Sequence, residues 1–268
     1  MTSDLDKAGT SYWDQIWEGQ SIPDAVNPHL GSIGNHVRRC YHNYFVRAFA
    51  GQDTTRRELL EIGCGRSRWL PYFAQEFGFR VTGLDYSEVG CDQTRAILHK
   101  AGVAGSVLCS DLFSPPADMI EAFDVVTSFG VVEHFTDTSA CLSAVGRFLK
   151  PGGLMITSIP NLSGWVGRLQ KLIDQAIYDV HVPLDRHALA QAHQQAGLAV
   201  ESCEYFMGVN WGVINTSGWK KRWSYRLIRP WPKILSLPVW LLERGGIRIK
   251  PNRLTSPYII CMARKTGE

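Results

Sequence analysis

The sequence predicts an α/β fold: one doubly wound, mostly parallel sheet of seven strands, with a helical segment ahead of it and an insertion between its last two strands. Three observations lead there. Short apolar runs alternate with amphipathic stretches through the middle of the chain, the pattern of strands covered by helices. The first apolar run ends in a Gly-rich turn, Gly63-Cys64-Gly65. Acids follow the next two runs, Asp85 after the second and Asp111 after the third.

Taken in order, Glu58–Ile62 is the first strand, and the turn after it leads into a helix over Trp69–Phe77. Arg80–Leu84 is the second strand, followed by a helix within Tyr86–Ala101 whose apolar positions include Val89, Ile97 and Leu98. Ser106–Cys109 is a short third strand and Phe123–Phe129 a buried fourth. Thr136–Leu149 reads as a helix capped by Thr136 or Asp137. Pro151–Gly153 then turns the chain into the fifth strand, Leu154–Ile159. Asp185–Ala196 is a helix closed by Gly197, where a left-handed conformation is usual. Leu198–Phe206 and Tyr258–Ala263 complete the sheet. Residues 1–57 contain SYWDQIW and Val37–Phe49, two helices expected to pack across the sheet's C-terminal edge, and residues 211–257 form the insertion.

Composition narrows the function classes. At 268 residues, 45% hydrophobic and 20% charged, the chain suits one ordinary globular α/β domain. Its first residues are polar and carry acids, unlike a signal peptide. The apolar run Ile234–Leu242 is broken by Ser236 and Pro238 and falls short of the ~20 residues of a membrane span. A cytoplasmic protein is therefore expected. Seven scattered cysteines without a CxxC pair give no disulfide framework, and neither they nor HExxH-type spacing announce a metal site, so none is expected. A net charge of +3 and the lack of a recognition motif give no reason to expect nucleic acid as a partner. Oligomeric state is not readable.

Ligands of open α/β sheets bind beyond the carboxyl ends of the strands, where strand order reverses. Gly63 and Gly65 lack the Cβ atoms that would hold a ligand off the backbone there. Asp85 lies 22 residues past Gly63, close to the roughly 20 expected of a carboxylate that grips a ribose diol. These features alone indicate a nucleotide-like ligand. An NAD(P)-dependent oxidoreductase would want GxGxxG, yet the sixth residue from the first glycine is Arg68.

Asp111-Leu112, Phe129-Gly130, Glu133-His134 and the later FLKPGG complete a constellation. Together with the glycine turn and Asp85, it resembles the class I S-adenosylmethionine-dependent methyltransferase superfamily, and within it the UbiE-like small-molecule enzymes. The resemblance runs from about Tyr12 to Gly197 and includes the last strand. It implies a Rossmann-like methyltransferase domain over residues 58–268, with residues 1–57 as an N-terminal helical lid. It also implies S-adenosyl-L-methionine contacts at Gly63, Gly65, Asp85, Asp111 and Phe129, together with their neighbours Tyr86, Ser87, Leu112 and Gly130. Glu61 would lie near the donor's amino-acid end, and Tyr12 and Trp13 in the lid over it. One position departs from the family: Ser67 stands where a third glycine is frequent, and serine can cap the next helix.

Methyl transfer needs an aligned nucleophile and, for a hydroxyl acceptor, somewhere for its proton to go. His134 with Glu133 beside it, and His181 with Tyr178, Asp179 or Asp185 to orient it, are the two candidate bases. Asn161 either lines the acceptor pocket or ends the fifth strand as a turn. The acceptor expected is a small molecule methylated on oxygen before nitrogen, such as a secondary metabolite or a lipid- or sugar-linked intermediate. The alternative outside catalysis is a membrane-associated protein that binds the donor without using it.

The insertion carries ten Lys/Arg against the single acid Glu243, and five of the nine tryptophans. Cations interleaved with Trp and Leu over residues 218–242 suit a lid over the acceptor, or a peripheral contact with a lipid headgroup region. Solvated charges over packed tryptophans are the plainer reading.

Overall fold

The computed structural model describes residues 5–216, 231–247 and 249–267. Seven strands form one sheet: β1 (Glu58–Ile62), β2 (Arg80–Asp85), β3 (Gly105–Cys109), β4 (Phe123–Phe129), β5 (Leu149–Pro160), β6 (Leu198–Phe206) and β7 (Tyr258–Lys265). Their order is β3-β2-β1-β4-β5-β7-β6. The first five are mutually parallel, and β7 runs antiparallel to both β5 and β6. Strand order reverses between β1 and β4, so the crevice at their carboxyl ends is the place for a ligand.

Alternation along the strands divides the core in two. Leu60, Ile62, Val126 and Met155 face Cys141, Leu142 and Leu189, from the helices α5 (Thr138–Gly146) and α8 (Arg186–Gln195). Their neighbours Leu59, Val125, Leu154 and Ile156 face the opposite side. There they meet Tyr41, Phe45, Leu70 and Phe73, from α2 (His36–Ala48) and α3 (Trp69–Phe77). The remaining helices among the described residues are α1 (Thr10–Trp17), α4 (Glu88–Lys100), α6 (Trp165–Ile173), α7 (Gln175–Asp179) and α9 (Trp231–Arg244).

Three differences from the sequence reading have local causes. Of the two expected caps Asp137 serves, accepting from the Ala140 amide at 2.9 Å, but α5 starts only at Thr138 and stops at Gly146, short of Leu149. The Pro151–Gly153 segment does not precede β5 but lies inside it. Pairing with β4 jumps there from Phe123–Leu149 to Val125–Leu154, a bulge in which Gly152 takes φ 73°. Finally, α6 and α7 occupy the stretch between β5 and α8, to which periodicity alone assigned nothing.

Candidate active site

The turn after β1 is fixed by its own side chains. The Gly65 amide donates to Asp85 Oδ2 at 2.7 Å and the Ser87 amide to Oδ1 at 2.8 Å. Asp85, at the tip of β2, is thereby aimed at the turn. Burial raises its pKa, and those backbone donors act against the rise. Ser67 Oγ donates to Glu61 Oε2 at 2.6 Å and accepts from the Trp69 and Leu70 amides at the start of α3. The serine that replaces a glycine therefore caps the helix. Burial pushes Glu61 up to about 8. Neither glycine has room for a side chain: a Cβ on Gly63 would fall 2.2 Å from Val131 Cγ2, and one on Gly65 2.9 Å from Trp17 Nε1. Gly63 also takes φ 69°, a left-handed conformation that disfavours other residues.

This turn opens on a cavity of about 910 Å³, within the size range of small-molecule sites. Tyr12, Trp13, Glu61, Gly63, Gly65, Asp85, Tyr86, Phe129, Gly130, Glu133, His134 and His181 all line it. Phe129 does so as part of an aromatic wall, stacked on Trp69 with ring centroids 5.7 Å apart. Tyr86 donates its hydroxyl to Asp6 Oδ2 at 2.6 Å, and Trp13 stands edge-on to the His134 ring. The N-terminal segment is thus tied to both ends of the cavity.

Three expected contacts lie outside the lining. Ser87 is fully buried as the cap of α4, accepting from Gly90 N and donating to Asp14 Oδ1. Asp111 turns its carboxylate onto the Phe113 amide, and Leu112 is in the core. Asn161 is also outside: its amide donates to the carbonyls of Arg253 and Ser256 and so anchors the end of β5, the turn reading. Trp17, Tyr41, Ser158 and Trp240 also line the cavity, Trp17 and Trp240 within segments expected as lids, though none was singled out by residue. For Trp17 a signal existed, since it lies four residues past Trp13 on one helix face and stacks on it.

Glu133, His134 and His181 converge from two loops. A short turn after β4, Val132–His134, carries the first two. The loop after α7 carries the third and is docked by Val182 N donating to Glu133 O at 2.6 Å. The imidazole centroids lie 4.4 Å apart. His134 Nδ1 donates to Val180 O at 2.8 Å, and His181 Nδ1 to Ile177 O at 2.6 Å. His181 is therefore oriented by backbone carbonyls, not by the side chains of Tyr178, Asp179 or Asp185, the last of which caps α8. Burial, with His181 alongside, lowers His134 to about 4, and burial lowers His181 as well. Both rings are neutral near pH 7, with Nε2 as the free acceptor. Glu133 is fully buried and pushed up to about 8, and neither of its oxygens has a hydrogen-bond partner among the described residues.

Of the insertion, residues 217–230 lie outside the described residues, Trp219 and Trp223 among them. Its helix α9 turns Leu237 and Trp240 to the cavity. Trp240 Nε1 donates to Val209 O, and a His36–Glu243 pair at 2.8 Å fastens the helix to α2.

A family model described as a methyltransferase domain matches residues 35–203. The ubiquinone biosynthesis O-methyltransferase of Bradyrhizobium sp. (strain ORS 278) is 34% identical over 103 residues, 38% of this chain and 40% of the relative. That of Idiomarina loihiensis is 27% identical over 158 residues, 58% of each chain. The chain thus spans less than two thirds of these relatives. Among solved structures, the geranyl diphosphate C-methyltransferase from Streptomyces coelicolor A3(2) aligns with a TM-score of 0.59 at 16% identity, over 96% of this chain and 98% of that one. The [4+2]-cyclase SpnF aligns with a TM-score of 0.57 at 17% identity, over 85% and 81%. At such identities the likeness establishes the fold, and the chemistry must be argued from the site.

Proposed function

This chain belongs to the class I S-adenosylmethionine-dependent methyltransferase superfamily, through its methyltransferase-domain family, and on that footing we propose that it methylates a hydroxyl oxygen, or second to that a nitrogen, of a small organic acceptor. One observation carries the proposal. The glycine turn with Asp85 and the Glu133–His134–His181 cluster open on the same cavity, so a donor and an acceptor held at the two places would meet.

The residues present fit the donor. Gly65 leaves free the space a Cβ would take beside Asp85 Oδ2, and the Asp85 carboxylate can accept from both hydroxyls of a ribose. S-adenosylmethionine supplies an electrophilic methyl group on a sulfonium. The chain's part is alignment and proton handling. Gly63 and Gly65 let the backbone approach the donor, and Glu61 stands near its amino-acid end. Tyr12, Trp13 and Phe129 keep water out, with residues 1–57 acting as the lid. His134 and His181 present unprotonated Nε2 atoms to the acceptor's hydroxyl. Ser87, Asp111 and Leu112 act only indirectly, through the turns they hold.

Calorimetry with S-adenosylmethionine and S-adenosylhomocysteine tests the donor site, and binding of neither sinks the proposal. Labelled methyl transfer to a panel of phenols, catechols and amines then ranks the acceptors. Among the described residues no helix is long and apolar enough to cross a membrane. We extend the proposal to peripheral membrane contact, because α9 exposes Trp231, Leu235 and Leu241 on its outer side. Alanine at these three positions should reduce co-sedimentation with anionic liposomes, and unchanged co-sedimentation removes that extension.

A further inference from the structure

Glu133, His134 and His181 each bring a ligand atom to within 4.8 Å of the others. We propose that these three side chains bind one divalent transition-metal cation of the zinc, cobalt or iron(II) class, with its open coordination positions facing the acceptor. The proposal rests on the methyltransferase reading for what that cation would hold, though not for its binding.

Hydrogen bonding supplies the first argument. A metal-ligating histidine almost always donates its other ring nitrogen to a carbonyl, carboxylate or water, which fixes the ring and bares the ligating atom. Both histidines do this here, through Nδ1 to Val180 O and Nδ1 to Ile177 O. Two Nε2 lone pairs are therefore oriented and, among the described residues, free of a protein partner.

Glu133 supplies the second. Its carboxylate is fully enclosed, and both oxygens lack a hydrogen-bond donor among the described residues. A buried polar group left in that state is costly and rare. No Lys or Arg makes an ion pair with it among the described residues. A cation between this carboxylate and the two Nε2 atoms would satisfy all three at once.

The donor types set the kind of ion. Two imidazoles and one carboxylate form the donor set of catalytic zinc and non-haem iron(II) sites. Magnesium and calcium prefer oxygen-only shells. All three side chains line the cavity, so the remaining positions point where an acceptor would lie. That favours acceptors offering a hydroxyl or two adjacent oxygens. A hydroxyl held there loses its proton more readily, and to solvent, because the histidines then serve as ligands instead of proton acceptors. Sequence spacing hides the site, since His181 stands 47 residues past His134.

The test uses the full chain, stripped by a chelator and titrated with Co²⁺ by calorimetry and visible absorption. One Co²⁺ per chain is expected, with a ligand-field band, displaced by Zn²⁺ and not by Mg²⁺. His181→Ala should weaken uptake roughly 100-fold or more, since even loss of an outer-shell partner costs 10–100-fold. Glu133→Gln, which keeps the shape of the side chain, should also weaken it. Thermal melting and S-adenosylhomocysteine binding by His181→Ala verify that the variant is folded. Absence of Co²⁺ uptake by the wild type, or equal uptake by folded His181→Ala, overturns the proposal. Failure of S-adenosylhomocysteine binding by the wild type would instead remove the methyltransferase reading, a separate outcome.

Discussion

On one side of the cavity, Asp85 is held by the Gly65 and Ser87 amides and Glu61 by Ser67, all within 27 residues of sequence. On the other, among the described residues, Glu133 has no hydrogen-bond partner and two histidines from separate loops leave Nε2 open. The first arrangement is complete in itself and presents a fixed shape. The second is short of a ligand, a proton or an ion. Preorganised hydrogen bonding suits a molecule that is always the same, whereas unsatisfied acceptor atoms suit the place where a proton or a cation is handled. On the proposed reading, the donor belongs to the first region and the acceptor to the second.

The sharpest way to break this division is to fill the donor cradle. Gly65→Val adds a branched side chain whose Cβ alone would stand 2.9 Å from Trp17 Nε1 and 3.0 Å from Asp85 Oδ2. S-adenosylhomocysteine affinity should fall by more than about 100-fold, near the loss of two or more charge-assisted hydrogen bonds. His181→Ala, in the other region, should leave that affinity within about 3-fold, because His181 reaches the donor side only through His134 and Trp13. Equal losses in the two variants would mean that the regions are not separable. Asp85→Ala comes next. It removes the carboxylate offered to the ribose and releases the Gly65 and Ser87 amides, so calorimetry should register a loss of roughly 30-fold, about 2 kcal/mol.

The same division explains what the sequence could disclose. The strands β1, β4 and β6 are legible to the residue, because alternating or continuous apolar runs bounded by turns are local signals. Gly63, Gly65 and Asp85 are legible too, since one turn and the end of the next strand hold them. Asp111 carries a local duty that residue type alone does not reveal, since its carboxylate closes a turn by accepting from the Phe113 amide. The proximity of His134 to His181 was not legible at all. It depends on α6 and α7 carrying the chain back to β4, and no periodic signal specifies that return. Trp240 reaches the cavity only because α9 packs on His36 and Val209.

A third prediction sharpens the claim that the first region is satisfied. Glu61 is raised to about 8 by burial, with Asp85 adding to the rise and Ser67 opposing it. Its folded pKa thus exceeds its unfolded value near 4.3. Its contribution to stability is complete below that lower value and is lost as pH rises toward the folded one. Between pH 5.5 and 7 a proton retained only by the folded state changes stability by about 2 kcal/mol. Glu61→Gln keeps the neutral acceptor for Ser67 and removes this dependence. Melting temperatures of wild type and variant should therefore diverge with rising pH, the variant gaining several degrees relative to the wild type. The other buried titrating groups are common to both proteins and cancel in the difference. A constant difference across this range would show that Glu61 does not titrate there.

The smallest effect separates the two duties of Ser67. If its hydroxyl only completes the scaffold, Ser67→Ala should lose the cap on the Trp69 and Leu70 amides and leave Glu61 without its donor. Loss of a helix cap costs about 1 kcal/mol, which lowers the melting temperature by roughly 2–4 °C in a domain of this size. S-adenosylhomocysteine affinity should stay within about 2-fold, because the Gly65 and Asp85 contacts are made by other atoms. A 10-fold loss of affinity with unchanged melting would reverse the assignment. Ser67 Oγ would then reach the donor directly, and the glycine frequent at this position in the family would have been replaced by a binding group.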